Sequence, residues 1–172
     1  MDAPVPVPFG WMRAAGAGLT FRRLTEIDLP FLARVYASTR AAELAATCWS
    51  GEHKAAFVDQ QFRAQHAHYQ RYYPEADWLV IVRRGDNIGR LYVERWPTQH
   101  RIIDIALLPE YRGKGLGEAL LRDLMDEAAA AGKAVSIHVE KFNPAMRLYR
   151  RLGFKTAEDK GVYDLMRWTA PA

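Results

Sequence analysis

Three glycines stand at alternate positions in one short stretch of this 172-residue chain, with cations beside them. Gly113, Gly115 and Gly117 lie in "EYRGKGLGEALL" (110–121), next to Arg112 and Lys114, ahead of a helical pattern. Such a turn lets backbone N–H groups converge on one point, and the first turn of a helix carries unpaired N–H groups and partial positive charge. The spacing alone indicates either a phosphate cradle or a tightly packed helix entrance.

The two commonest nucleotide motifs do not fit this stretch. A P-loop needs Gly, four residues, Gly, Lys and then Ser or Thr, and no Ser or Thr follows Lys114. The dinucleotide fingerprint is G-x-G-x-x-G, whereas the stretch reads G-x-G-x-G. It also follows antiparallel strand patterns rather than opening a βαβ unit. Both nucleotide motifs are therefore excluded.

Composition excludes several other classes of protein. The 24 Lys and Arg against 20 Asp and Glu give a net charge of +4, scattered along the chain, which argues against nucleic-acid binding. The single cysteine, Cys48, excludes an internal disulfide and a Cys-based metal cage and favours a reducing compartment. No apolar run reaches the roughly 20 residues of a membrane helix. The N-terminus lacks a signal-peptide pattern. We expect a cytoplasmic protein with no membrane contact.

Periodicity predicts a Pro-, Gly- and Ala-rich, loosely attached tail over residues 1–18 and one domain over 19–172. The first strand is followed by two helices, with Asp28 and Ser50 as caps. Two strands joined by "GDN" and a third strand precede the glycine-rich stretch, whose helix ends at Gly132. A strand, a short helix capped by Asn143 and a final hairpin complete the chain.

The order β-α-α-β-β-β-α-β-α-β-β determines the expected fold class. Hairpins give antiparallel pairs, whereas helical crossovers give parallel ones. We therefore expect an α/β (α+β) fold with a mixed, mainly antiparallel seven-stranded sheet and helices on both faces.

At this point the residues resemble a known family. "LLPEYRGKGLGEALL" is similar to the acetyl-coenzyme-A motif of the GNAT superfamily of N-acetyltransferases: Gln or Arg, two residues, Gly, one residue, then Gly or Ala. Arg112, Gly115 and Gly117 match its fixed positions, and "NPAMRLYRRLGF" (143–154) resembles a second family stretch. The resemblance covers about residues 79–168. It implies that acetyl-CoA is the co-substrate, that no metal is needed and that the fold is the one expected above.

The resemblance also implies roles for individual residues. Asn143 would contact the pantetheine arm, and Tyr149 would lie near the thioester sulfur as a general acid. The backbone of one strand segment would pair with the pantetheine arm and the acetyl carbonyl; its residues are Ile105, Ala106 and Leu107. The pyrophosphate would lie on the turn after Arg112, on the backbone of Gly113, Lys114, Gly115, Leu116, Gly117 and Glu118.

The general base is left open among several groups. If "PTQH" closes a hairpin centred near Gln99, Glu94 lies opposite Asp104, and two paired carboxylates raise each other's proton affinity. Glu94 could equally pair with an arginine at the surface. His138 is a third candidate, and ordered water serves many members of the family.

The acceptor is expected to be the amine of a small molecule or a peptide. In this family the first two helices and the loops after the third and sixth strands shape the acceptor site, and here the second helix is rich in aromatic residues. His66 and His68 do not share a helix face, so they do not suggest a metal site. The alternative function is a non-catalytic acyl-CoA-binding regulatory module. A last strand ending near Trp168 and free to pair with a second subunit would make a homodimer.

Overall fold

In the computed structural model, residue 8 and residues 10–172 are described, and their strands form one mixed sheet. The strands are β1 (Leu19–Arg23), β2 (Asp77–Arg83), β3 (Asp86–Arg95), β4 (Gln99–Leu107), β5 (Ala134–Glu140), β6 (Lys155–Asp159) and β7 (Tyr163–Trp168). Their order is β1-β2-β3-β4-β5-β7-β6, and every neighbouring pair is antiparallel except β4–β5. The predicted mixed sheet of seven strands is confirmed.

Helices cover both faces of this sheet, also as predicted. They are α1 (Met12–Gly16), α2 (Leu29–Ala45), α3 (Gly51–Tyr72), α4 (Leu116–Ala130) and α5 (Met146–Arg151). On one side, here the α4 face, residues of α1, α4 and α5 form a single core with strand residues such as Leu91 and Ile102. On the other side, the α2 face, α2 and α3 pack through Leu32, Tyr36 and Phe62 and lie over Arg90 and Tyr92.

Local signals explain how these helices begin. Ser50 caps α3 as predicted, since its Oγ accepts a hydrogen bond from the His53 N–H at 3.1 Å. Asp28 does not cap α2. Its carboxylate accepts from Arg22 Nη1 at 2.8 Å and from the Thr25 N–H at 2.9 Å, so it ties the entrance of α2 to β1 instead.

The N-terminal segment differs from the expectation in its described part. Trp11 and Ala14 are buried, and the Trp11 ring meets Phe21 edge-on with centroids 5.8 Å apart. The Ala14 N–H donates to Asp123 Oδ2 at 2.7 Å. The prediction of a loosely attached tail is therefore wrong for residues 11–18, because Trp11 supplies an apolar anchor within a Pro- and Gly-rich stretch. Residues 1–7 and 9 of that tail lie outside the described residues.

Two further details of the chain's second half correct the sequence reading. The strand ending at Trp168 is β7, which lies between β5 and β6 and has no free edge in the described sheet. The expected pairing of that strand with a second subunit is therefore wrong. The short helix α5 begins at Met146 rather than after Asn143. Within the described chain, none of the helices combines the length and the hydrophobicity needed to cross a bilayer.

Candidate active site

The parallel pair β4–β5 comes apart halfway along β4. The strands pair only from Gln99–Ala134 to Ile102–Ile137, after which β4 runs on to Leu107 and β5 to Glu140. Residues 103–106 are half-buried along this opening. Two strand edges that face each other without pairing leave backbone donors and acceptors available to an extended ligand. The expected backbone site at residues 105–107 thus lies along a gap in the sheet.

A glycine on β3 holds β4 close at this point. Gly89 pairs with Leu107, and a Cβ built on Gly89 would overlap the Ala106 carbonyl oxygen. Any larger residue would push the end of β4 out of place. Sequence reasoning did not single out Gly89, although a glycine inside a strand pattern is a known sign of close backbone approach.

The glycine-rich turn begins beyond the end of β4. Gly113 and Gly115 have φ of +70° and +77°, a left-handed conformation that other residues adopt only with strain. Gly115 is the N-cap of α4, and no side chain caps that helix end. A Cβ on Gly117 would meet only Leu107 Cδ1, at 4.0 Å. The first two glycines serve the fold, and the third leaves open space beside uncapped helix N–H groups, which suits an anion.

The charged side chains of the turn are engaged with the protein itself. Arg112 donates from Nε to the Leu107 carbonyl at 2.8 Å and from Nη2 to Ser38 Oγ at 2.8 Å. Lys114 Nζ lies 5.7 Å from the centre of the Tyr111 ring. Glu118 pairs with arginines on α4 and α5, and these hydrogen bonds lower the pKa of its carboxyl. What the turn offers a ligand is therefore mainly its backbone.

Tyr149 of α5 lies in the core of the α4 face. Its ring meets Phe154 edge-on, with centroids 5.5 Å apart. Burial raises the pKa of Tyr149 well above its usual value, and the Asp104 carboxylate adds to the effect. The phenol therefore stays protonated at any physiological pH and can act only as a hydrogen-bond donor or a proton source.

Asn143 lies in the turn between β5 and α5. Its Oδ1 accepts from the Ala145 N–H at 2.9 Å, so the side chain stabilises the turn two residues before the helix proper. The residue is exposed. Its carbonyl oxygen is engaged, and its amide N–H groups point to no described partner.

The expected facing of Glu94 and Asp104 is wrong. Asp104 pairs with Tyr92 and Glu94 with Arg101. Glu94 Oε2 instead accepts from Trp96 Nε1 at 2.8 Å. The turn is centred between Pro97 and Thr98 rather than near Gln99, and this places Glu94 beside Arg101. The extra residue in β4 lies further from the turn and changes only the partner of Asp104, from Leu91 to Tyr92.

Asp104 belongs to a buried network on the α2 face. Arg90 donates to it from Nη2 at 2.9 Å and from Nε at 3.3 Å, and the Tyr69 hydroxyl donates to it at 3.2 Å. Arg90 also donates to Gln65 of α3 at 3.0 Å. Burial, with the Asp104 charge, raises the pKa of Tyr69. The network fixes α3 to β3 and β4 beside the gap. In the sequence, the alternation of polar and apolar residues along β3 was the only sign of this network.

His138, the third candidate base, is the first residue of β5 beyond the last β4–β5 pair. Partial desolvation and the charges of Arg101 and Lys160 lower the pKa of its imidazole. Its Nδ1 lies 3.3 Å from Arg101 Nη1. Because arginine can only donate, Nδ1 accepts and the proton of the neutral ring lies on Nε2. The ring therefore has no free lone pair with which to act as a base.

Helix α2 contacts both sides of the gap. Ser38 receives the hydrogen bond from Arg112 at the end of β4, and Arg40 pairs with Glu140 at the end of β5 through contacts of 2.7 and 3.2 Å. Within the described residues, no group of three or more His, Cys, Asp or Glu side chains is arranged to hold a metal ion.

Known proteins are similar to this chain in sequence. The N-alpha-acetyltransferase RimI of Mycobacterium tuberculosis is 32% identical over 125 residues, covering 67% of this chain and 71% of that protein. A mycothiol acetyltransferase of Corynebacterium glutamicum is 33% identical over 96 residues, covering 54% of this chain; the chain spans only 33% of that relative's length.

Structural comparison gives the same fold. The crystal structure of the PaiA N-acetyltransferase of Thermoplasma acidophilum in complex with coenzyme A superposes with a TM-score of 0.65 at 19% identity. It covers 88% of this chain and 99% of that one. Residues 39–154 match the Acetyltransferase (GNAT) family, a span that contains the β4–β5 gap, the glycine turn and Tyr149. This chain belongs to the GNAT acetyltransferase family.

Proposed function

We propose that the protein is an acyltransferase that transfers an acetyl group from acetyl-CoA to the primary amine of a small molecule or peptide, within one ternary complex. The observation that carries the proposal is the gap between β4 and β5, which has an uncapped, glycine-lined helix start just beyond the end of β4. Two relatives of this chain carry the names mycothiol acetyltransferase and N-alpha-acetyltransferase, which supports acetyl transfer as the reaction. The free thiol of Cys48 is consistent with a reducing, cytoplasmic setting.

The residues that would hold acetyl-CoA follow from the geometry. The open N–H groups at the start of α4, around Gly115 and Gly117, suit a pyrophosphate. The unpaired edge of β4 from Ile105 to Leu107 suits the amide groups of a pantetheine arm, as an added strand would. Asn143 has amide N–H groups free to reach that arm from the α5 side. When bound, acetyl-CoA would supply an activated acyl thioester.

The chain's own groups fit the remaining requirements of the transfer. The leaving sulfur needs a proton, and Tyr149 is a protonated phenol in the core of the α4 face. The developing charge on the carbonyl oxygen needs a donor, which a backbone N–H of the separated β4 edge can provide. Asp104 forms an ion pair with Arg90 and accepts a hydrogen bond from Tyr69, and Glu94 accepts one from Trp96. We therefore propose that water, rather than a carboxylate, takes the proton of the amine.

The test is release of CoA thiol from acetyl-CoA with a panel of small amines and short peptides, comparing Tyr149→Phe with the parent protein. We expect Tyr149→Phe to lower kcat about 100-fold, as the loss of a general acid does, while acetyl-CoA binding measured by calorimetry is retained.

Glu94→Gln is the matched control. It keeps the hydrogen bond from Trp96 to an acceptor oxygen, so its pH–rate profile should follow that of the parent protein. Loss of the acidic limb in this variant would restore Glu94 as the base. Stoichiometric acetyl-CoA binding without thiol release from any amine would instead support the non-catalytic regulatory module.

A further inference from the structure

A row of side chains crosses five strands on the α2 face. Register places Glu94 beside Arg101, Arg101 beside Ser136, Ser136 beside Arg167 and Arg167 beside Lys155. Directly paired residues point to the same face of a sheet, so three cations stand in one line. With strands about 4.8 Å apart, the line spans roughly 14 Å from β4 to β6. We call Arg101, Arg167 and Lys155 the cation row.

Arg101 is buried without an ion pair in the described part of the chain. It is 7% exposed, its Nε donates to Ser136 Oγ at 2.9 Å, and its guanidinium lies 4.7 Å from the centre of the Trp96 ring. In the described part of the chain no carboxylate forms an ion pair with it, whereas the equally buried Arg90 is held by Asp104. Buried arginines are rarely left unpaired. Three of its five N–H groups remain for a ligand, since one goes to Ser136 and one to His138.

The rest of the row is also unbalanced. Arg167 and Lys155 are exposed, and neither has an ion-pair partner among the described residues. The acidic neighbour on this side, Glu158, is paired with Lys160 at 2.8 Å. His138 adds its Nε2–H donor beside Arg101. Glu94, the carboxylate beside Arg101 in this row, accepts from Trp96 and forms no ion pair with a cation of the row among the described residues. The patch therefore presents three cations and the His138 donor against one carboxylate.

The patch borders the proposed reaction site. Arg101 comes one residue before the last β4–β5 pair, and His138 one residue after it. Asp104, which faces the gap from the same side of the sheet, is three residues further along β4. At about 3.3 Å per residue, the Arg101 and Asp104 backbones are about 10 Å apart. A ligand with a chain of several bonds can reach both places.

We propose that Arg101, with His138 and the outer cations of the row, binds an anionic group of the acceptor. This inference rests on the proposed function. The acceptor is then an amine that carries a carboxylate or a phosphate on a chain of several bonds. The two anions share the same recognition chemistry, namely charge-assisted hydrogen bonds to a guanidinium.

The experiment compares amines that differ only in the distal group: n-hexylamine, ε-aminocaproate and ω-aminohexyl phosphate, each with saturating acetyl-CoA. We expect kcat/KM to be at least about tenfold higher for one or both anionic amines than for hexylamine. Arg101→Gln should abolish that ratio while leaving the hexylamine rate intact, and Arg167→Gln should reduce it less. The better of the two anionic substrates identifies the anion.

Arg63→Gln is the control, because Arg63 is an exposed cation on α3 that pairs with Asp59 at 2.8 Å. It should leave the ratio unchanged. Should Arg101→Gln fail to fold, the double variant Arg167→Gln with Lys155→Gln tests the same patch through exposed residues. If hexylamine is acetylated as efficiently as both anionic amines, the inference is wrong, while the proposed function still holds.

Failure of the proposed function is separable from failure of this inference. If no amine releases thiol, calorimetry of ε-aminocaproate and ω-aminohexyl phosphate against the CoA-loaded protein still measures the patch. Binding that is lost in Arg101→Gln and kept in Arg63→Gln supports the anion site without turnover. Absence of binding by both anions rejects it.

Discussion

Gly115 and Gly117 lie at the start of the same helix, α4, but glycine is needed at the two positions for different reasons. Gly115 has φ of +77°, so a side chain there strains the backbone whatever space surrounds it. Gly117 has an ordinary helical backbone and open space around its Cα. The first glycine is needed by the turn itself. The second is needed only if something must approach the backbone closely.

This difference gives a prediction for two alanine variants. Gly115→Ala should lower the free energy of unfolding by about 1 kcal/mol and weaken acetyl-CoA binding. Gly117→Ala should keep or raise stability, by up to about 1 kcal/mol, because alanine favours the helix, yet it should weaken acetyl-CoA binding as well. Urea denaturation and calorimetry measure the two quantities. If Gly117→Ala binds acetyl-CoA with unchanged affinity, the glycine turn does not bind the pyrophosphate.

At the same scale, the sequence predicted a glycine-rich turn at the start of α4 but placed the carboxylates wrongly. The glycines carry their signal in a local spacing. The placing of Glu94 against Asp104 needed the centre of the β3–β4 turn, which lies between Pro97 and Thr98 rather than near Gln99. The sequence "PTQH" does not by itself determine which residues of the two strands are paired. The counter-ion of Arg90 and the lack of one at Arg101 are likewise properties of neighbours brought together by the fold.

At the scale of elements, α2 is the piece that ties the site together. Its Ser38 and Arg40 hold the end of β4 through Arg112 and the end of β5 through Glu140. Its entrance is fixed to β1 by the ion pair of Arg22 and Asp28. The position of α2 is therefore coupled to both the end of β4 and the end of β5, which border the gap.

The entrance of α2 should make stability depend on pH. The Arg22 hydrogen bond holds the pKa of Asp28 below its ordinary value. A lowered folded-state pKa means that the stabilisation is fully present above the unfolded pKa, near 4, and is lost as the pH falls through the folded pKa. Asp28→Asn should cost about 2 kcal/mol near neutral pH, and the difference from the parent protein should shrink in acid.

Urea titrations at several pH values measure this difference. Glu43→Gln is a suitable control, because Glu43 pairs with Arg40 on the exposed side of α2 and such pairs contribute little. If the difference in free energy of unfolding between Asp28→Asn and the parent protein stays constant down to strong acid, the prediction is wrong.

For the whole molecule, the N-terminal helix is part of the domain. Asp123 of α4 is buried, and it accepts from the Ala14 N–H at 2.7 Å and from Arg13 Nη1 at 3.1 Å. Trp11 fills the same core. A buried carboxylate that loses its donors is costly, and a removed tryptophan leaves a cavity.

Deletion of residues 1–18 should therefore destabilise the protein by about 3 kcal/mol or more, and Trp11→Ala by a similar amount. Thermal denaturation of the two variants measures the loss. Asp126→Asn is the control, since Asp126 meets the same Arg13 but is exposed. A truncated protein that melts like the parent would mean that α1 contributes nothing to the domain.

The overall topology was predictable because each element carries a strong local signal. Alternating strands, the Ser50 cap and the left-handed Gly153 at the end of the α5 segment all mark boundaries along the chain. The docking of α1 was not, because its only signals are one tryptophan and a helix of five residues. Short segments gain their structure from the surface they cover, and that surface is formed by distant residues.

The short parallel contact between β4 and β5 divides the sheet into an antiparallel block of four strands and another of three. Only four paired positions join these two blocks along the β4–β5 seam. A molecule that lies in the opening beyond Ile102 and hydrogen-bonds to both edges would lengthen the seam. The donor substrate would then act as a removable strand, and the rigidity of the whole sheet would rise and fall with each catalytic cycle.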